Sequence, residues 1–260
     1  MESYAVVTGA SSGIGRAICL ELAKRGYNLI MISKDEALLD TARQQVYLLC
    51  PDIQIIALPA DLAKIENAYK IADECIKLKV WISILVNCAG YAVWTAFSDG
   101  NLEDQMEVIN LNVYTPLVLI HKLLPGMKKE TRSYILNVSS TTAFQATPFM
   151  STYSGSKVLI EYFSRCLSLE LKDEDIQVSC LIPGTTKTNF SNRAKLSDTI
   201  IKKGKPVEMG ACAVAKIAID GLFKGKKTII PGIANKLHFL MTKILPSSIA
   251  AGMTYSIYKK

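Results

Sequence analysis

Residues 8–17 read TGASSGIGRA, and no other stretch limits the fold as much. Three glycines, Gly9, Gly13 and Gly15, follow a short apolar run at 4–7. Ile14, Ile18 and Leu22 then recur at helical spacing. Glycine admits positive φ and close approach of two backbones, so the stretch reads as a strand turning tightly into a helix. The alternation then repeats. Strand-like runs at 28–32, 54–58, 83–87, 134–138, 177–181 and 228–230 are separated by segments with apolar residues three or four apart. LIMI, SILV and YILNV are almost wholly apolar, as strands covered on both faces must be.

This pattern predicts right-handed βαβ crossovers. The fold class is therefore α/β: a doubly wound Rossmann fold, with a central parallel sheet of about seven strands and helices on both faces. The chain has 260 residues, 50% of them hydrophobic, which suffices for one core. With no linker, low-complexity tract or repeat, the reading is one domain over 1–260, with 233–260 as an amphipathic helical extension. The first residues, MESYAVV, lack a basic start and an apolar signal core, and no run has bilayer length, so the expectation is cytoplasmic. Seven scattered cysteines are expected to be reduced and mostly buried. With only His121 and His238 as imidazoles, no metal site is expected. The net charge of +7 is dispersed, and its lysine clusters read first as solvated surface; with no binding motif beside them, nucleic acid is not an expected partner.

A glycine turn opening a helix is expected here to hold a ligand, the plainer reading being a tight turn without one. Free N–H groups and the helix dipole suit a pyrophosphate, so Thr8, Gly9, Ser11, Ser12, Gly13, Ile14 and Gly15 are candidate dinucleotide contacts. The spacing is G-x-x-x-G-x-G. At the end of the second strand an NAD site places an acid on the ribose. This chain has Ser33 and Lys34 there, which favours NADP(H) over NAD(H). Asp35 remains open as a ribose contact.

Ligands of such a sheet bind at the carboxyl ends of its strands. Tyr153, in YSGSK, opens the helix after the fifth strand, and Lys157 lies one turn on, on the same face. Ser140 ends that strand. An ammonium beside a phenol is expected to lower its pKa from about 10 toward the working range. Tyr153 then exchanges a proton with a carbonyl or alcohol oxygen that Ser140 orients. YSIYK repeats the spacing at Tyr255 and Lys259, without a strand end before it, and reads as coincidence at a frayed terminus.

Together these motifs resemble the short-chain dehydrogenase/reductase family over nearly the whole chain. The turn matches TGxxxGxG. The resemblance implies that Asp61, with Leu62, contacts the adenine side. NCAG, with Asn87, Ala89 and Gly90, is similar to the family's NNAG, Cys88 replacing its second Asn. Asn112 matches an Asn that interrupts a helix and carries a relay water to the lysine. Ser140, Tyr153 and Lys157 match the catalytic serine, tyrosine and lysine, and Lys157 is implied to touch the nicotinamide ribose too. In IPGTTKT, Pro183, Gly184, Thr186 and Thr188 match the segment that holds the carboxamide together with the backbone of Ile182. Singly, each has a plainer reading, such as a helix cap for Asn112 or a turn residue for Ser140; their order argues for the site.

The implied activity is an NAD(P)-dependent oxidoreductase: an NADPH-dependent carbonyl reductase or secondary-alcohol dehydrogenase. The alternatives are a non-catalytic dinucleotide-binding regulator on the same fold, and a membrane-surface or protein-binding module for which the Rossmann core is only scaffold. Residues 141–150, with Tyr91, Val93, Trp94 and Phe190, are expected to flank a lipophilic substrate, or else to pack as core. The family habit implies a homodimer or homotetramer pairing the helices of Asn112 and Tyr153. In the C-terminal stretch Ile233, Leu237, Leu240, Met241 and Ile244 recur at helical spacing. That face is expected to dock on the domain or a sister subunit in preference to a membrane surface, and Pro246 to end the helix.

Overall fold

The computed structural model describes residues 3–129 and 132–259, so Lys260 of the C-terminal stretch lies outside the described residues. The strands are β1 (Ser3–Thr8), β2 (Asn28–Ser33), β3 (Ile55–Pro59), β4 (Trp81–Asn87), β5 (Ser133–Val138), β6 (Ile176–Leu181), β7 (Thr186–Lys187), β8 (Met209–Gly210) and β9 (Thr228–Ile229). Seven form one parallel sheet in the order β3-β2-β1-β4-β5-β6-β9; β7 and β8 pair only with each other. The seven agree with the apolar runs of the sequence to within two residues. The strand order reverses between β1 and β4, which opens a crevice at their carboxyl ends.

The helices are α1 (Gly13–Ala23), α2 (Glu36–Leu49), α3 (Ile65–Lys77), α4 (Leu102–Ile109), α5 (Thr115–Met127), α6 (Ser151–Glu170), α7 (Phe190–Arg193), α8 (Asp198–Gly204), α9 (Ala211–Phe223), α10 (Ile233–Ile244) and α11 (Ser247–Tyr258). They cover both sheet faces because side chains alternate along each strand. Ala5 and Val7 point to the layer of α1, α2 and α9, where Ile18, Leu22, Leu39 and Ile219 are buried. Tyr4 and Val6 point the other way, onto Ile71, Leu119, Leu123 and Leu167 of α3, α5 and α6. Truncating a fully buried member such as Leu119 to alanine costs about 2–5 kcal/mol.

Three expectations need correction. Only Cys19, Cys75 and Cys180 are buried; Cys166 and Cys212 are exposed and Cys50 and Cys88 half-buried, all as free thiols. The chain does not fray at Tyr255: Pro246 stops α10, as expected, but then caps α11, which runs to Tyr258. Nor does α10 bury its aliphatic side on the domain; Ile233, Leu237, Leu240 and Ile244 stay exposed. Among the described residues, no helix is long and apolar enough to cross a membrane.

Candidate active site

The turn after β1 closes only on glycine. Gly9 has φ +68°, and a Cβ on it would stand 3.0 Å from the backbone of Ala89. A Cβ on Gly15 would come 2.2 Å from the carbonyl oxygen of Gly9. The ends of β1 and β4 therefore meet beneath the first turn of α1. Ser12, the N-cap, is extended and its side chain makes no capping bond to the helix. Its hydroxyl instead accepts from Arg193 Nη2 at 3.4 Å.

A cleft of about 800 Å³ runs from Lys34 and Asp61, past Gly9–Gly15, to Ser140, Tyr153 and Tyr258. Besides Ile182, of which only the backbone was implied, the catalytic and dinucleotide-binding residues read from the sequence all line it except Thr8, Asn87 and Asn112. Those three stand behind it. Thr8 Oγ1 accepts from the N–H groups of Cys88 and Ala89, each at 3.0 Å, tying β4's end to β1. Asn87 Nδ2 donates to Asn137 Oδ1 at 2.9 Å across β4 and β5. Asn112 lies in a π-turn, Asn110–Tyr114, between α4 and α5. Its amide donates to the Tyr91 carbonyl (3.1 Å) and Ser156 Oγ (3.0 Å), while its oxygen accepts from Tyr91 N–H (3.2 Å). Every amide group of Asn112 thus braces the segment after β4 or α6.

The cleft fits a dinucleotide by size and by its glycine cradle, and the volume lies in the ordinary range for ligand sites. At the β2 end, Lys34 Nζ pairs with Asp61 at 2.8 Å, and this hydrogen bond raises the lysine pKa. Lys34 is exposed, so the pair is weak and exchangeable. Ser33 Oγ bonds Ser11 Oγ at 2.7 Å. Asp35, left open as a ribose contact, spends its carboxylate on capping α2, accepting from Leu38 N–H at 3.0 Å.

At the other end, Tyr153 is 7% exposed, with its ring 5.6 Å from that of Phe190. Burial pushes the phenol up to about 12; a hydrogen bond with Ser140 opposes this. The expected lowering by Lys157 is absent. The ammonium is buried as well, its own pKa pulled down to about 8 by desolvation, and it donates to the Val138 carbonyl at 3.0 Å. Nζ lies 5.6 Å from the Tyr153 ring centroid. Desolvation of the phenol outweighs a cation at that distance, which already spends a donor on a carbonyl. At neutral pH the pair therefore stands as neutral phenol and charged ammonium.

Sequence reasoning missed Tyr258 and Arg193, both of which line the cleft. Tyr258 had no signal, because its approach depends on α11 folding back. Arg193 had a weak one: a cation shortly after the Thr188 segment. Conversely, Val93 and Trp94 do not line the cleft; they pack behind it with Met150 and Tyr153. Of residues 141–150, Thr141, Thr142 and Met150 border the cleft, whereas Phe144 and Phe149 turn to Phe239 and Tyr255.

Known proteins resemble this chain in sequence and in fold. The family model described as short chain dehydrogenase matches residues 3–198. A very-long-chain 3-oxoacyl-CoA reductase of Kluyveromyces lactis is 32% identical over 211 residues, 78% of this chain and 60% of that protein. An inactive hydroxysteroid dehydrogenase-like protein 1 of Homo sapiens is 33% identical over 193 residues, 72% of this chain and 57% of that one. The chain thus spans less than two thirds of the length of these relatives. A solved short-chain dehydrogenase from Sphingobium yanoikuyae in complex with NADPH superposes with a TM-score of 0.82 at 26% identity, covering 94% of each chain. With the family model matched over three quarters of the chain, and the glycine turn and the Ser140–Tyr153–Lys157 cluster on one cleft, the protein belongs to the short-chain dehydrogenase family.

Proposed function

We propose that the protein is a nicotinamide-dinucleotide-dependent oxidoreductase that reduces the ketone or aldehyde group of a lipophilic small molecule, with NADPH preferred. The observation that carries this is the gathering of Ser140, Tyr153 and Lys157 on the cleft that the glycine turn also lines. Tyr153 is a neutral phenol facing the cleft, hydrogen-bonded to Ser140 and backed by a charged Lys157. A neutral phenol is the form that donates a proton to a carbonyl oxygen.

In this reading the N–H groups of α1 and the hydroxyls of Ser11 and Ser12 hold the diphosphate, Lys34 and Asp61 meet the adenosine end, and Pro183, Gly184, Thr186 and Thr188 hold the nicotinamide. When bound, the dinucleotide supplies a hydride to the carbonyl carbon. Ser140 orients the carbonyl oxygen, and Tyr153 Oη–H passes its proton to that oxygen as the C=O bond becomes C–OH. Lys157 then restores the phenol's proton, its own being replaced from solvent. Asn112 holds Tyr91 and Ser156 on either side of this path. Phe190, Met150 and Tyr258 give the substrate end apolar surface, consistent with the ketone named for the Kluyveromyces lactis relative. A homodimer pairing α4 and α6 is part of the reading, supported by exposed Leu102, Met106, Leu159 and Tyr162 on those helices.

The relative named inactive favours a second reading, a dinucleotide-binding protein without turnover. A panel of ketones, including 3-oxoacyl thioesters, read by NADPH absorbance separates the two. Turnover that falls about 10²–10⁴-fold in Tyr153→Phe, with dinucleotide affinity kept, is the expected result. NADPH binding with no turnover across the panel would favour the second.

A further inference from the structure

The two C-terminal helices are amphipathic the wrong way round. A helix on a protein surface ordinarily buries its aliphatic stripe and gives water its polar face. In α10 the residues turned to the body are polar or aromatic. Asn235 is buried and donates to the Pro231 carbonyl at 2.7 Å. His238 bonds Gln145 at 3.2 Å, and the Phe239 ring packs on Phe144 at 4.6 Å. Ile233, Leu237, Leu240 and Ile244, at offsets of four, three and four residues, form one stripe that faces out; Ile233 and Ile244 are 77% and 75% exposed. In α11 the inward residues are Ala250, Thr254 and Tyr258, and the outward ones Ile249, Met253 and Ile257. Both helices hold the domain by small, polar or aromatic groups and leave their aliphatic side chains without protein cover.

We propose that this helix pair docks on an anionic lipid membrane through its outward aliphatic stripes. Charge selects the occupant. Residues 233–260 hold four lysines and not one aspartate or glutamate. Lys236 and Lys243 are exposed and flank the α10 stripe, and Lys259 is exposed at the end of α11. A second copy of this face would set lysines against lysines with no carboxylate between them. A lipid surface offers an apolar layer and phosphates at its rim, which is what such a stripe and its flanking cations match. Each helix has 12 residues, about 18 Å at 1.5 Å per residue, too short for a hydrocarbon core of about 30 Å. The helices therefore lie in the interface plane. Because Phe239, Tyr255 and Tyr258 of the same pair reach the 141–150 loop and the cleft, docking sets the substrate end of the site beside the lipid. The surface itself does not depend on the catalytic reading.

The test is co-sedimentation of the full chain with vesicles of phosphatidylcholine, with and without phosphatidylserine, at low and high salt. Binding to the phosphatidylserine vesicles, weakened by salt, is expected. Lys236→Gln with Lys243→Gln should lower partitioning about fivefold per lysine. Leu237→Ser or Leu240→Ser should lower it about tenfold, with dinucleotide binding and the circular dichroism spectrum unchanged. No binding to the anionic vesicles, or equal binding to neutral ones, overturns the proposal. So does a dimer in sedimentation velocity that Leu240→Ser splits while vesicles are not bound, since the face would then be an interface between copies.

Discussion

The indole N–H of Trp94 donates to the backbone carbonyl of Tyr258 at 3.0 Å, joining the segment after β4 to the last residue of α11. Thr254 Oγ1 adds a bond to the Ala146 carbonyl at 2.7 Å. Two distant parts of the chain thus hold the Tyr258 ring at the Tyr153 end of the cleft. Tyr258→Ala is expected to lower kcat/KM for small apolar ketones about tenfold, through lost apolar contact, and to harm bulkier ketones less. Dinucleotide affinity should not change, which fluorescence titration checks.

Lys157 gives a prediction with a sign. Its pKa is about 8 in the folded chain against 10.5 for a free lysine. Between those values the unfolded chain binds a proton that the folded chain does not, so stability rises with pH across that window. Below it the fold carries the full cost of a buried cation. Lys157→Met should therefore raise the unfolding temperature at neutral pH by about 5 °C, while turnover is lost. On the proposed ketone reduction, with Lys157 recharging Tyr153, turnover should decline above about pH 8 as the ammonium is titrated.

Lys34 must leave Asp61 to meet a 2′-phosphate. Lys34→Ala should weaken NADPH binding about tenfold, the worth of one charge-assisted hydrogen bond, and leave NADH nearly unaffected. Asp61→Asn frees the lysine and should strengthen NADPH binding at low salt, with a steeper loss as salt is added. Equal effects of Lys34→Ala on the two dinucleotides would remove the phosphate contact from the account.

Asn112→Leu keeps much of the volume and removes three hydrogen bonds inside a buried site. The Tyr91 N–H and its carbonyl lose their partners, a cost of about 1–3 kcal/mol for each buried group left unsatisfied. Urea unfolding should show a lower midpoint with an unchanged m-value.

Much of this architecture was legible because it follows from short-range rules. Strands covered on both faces must be apolar, so 28–32 and 134–138 announced β2 and β5. A glycine run between strand and helix has few other uses. What stayed hidden depends on distance through space. Tyr153 and Lys157 one turn apart are neighbours in any helix, but nothing in YSGSK states how dry their surroundings are, and dryness set the direction of the phenol's shift. Val93 and Trp94 are apolar beside the site, and an apolar residue there either touches ligand or supports what does; only the packing around Met150 decided it. Tyr258 comes near Tyr153 because Pro246 starts a second helix instead of ending the structure.

The π-turn at Asn110–Tyr114 carries one residue more than a regular helical turn needs. Deleting a single residue from α4 would let ordinary α-helical winding resume through that point. The residues between the deletion and α5, Asn112 among them, would then turn by about 100° about the helix axis. Asn112 Oδ1 sits so close to Gly90 that a methyl there would come within 2.8 Å of it. An indel in α4 would unseat that fit without altering any residue of the cleft wall, so length polymorphism in this helix is expected to be purged where point substitutions on its outer side are tolerated.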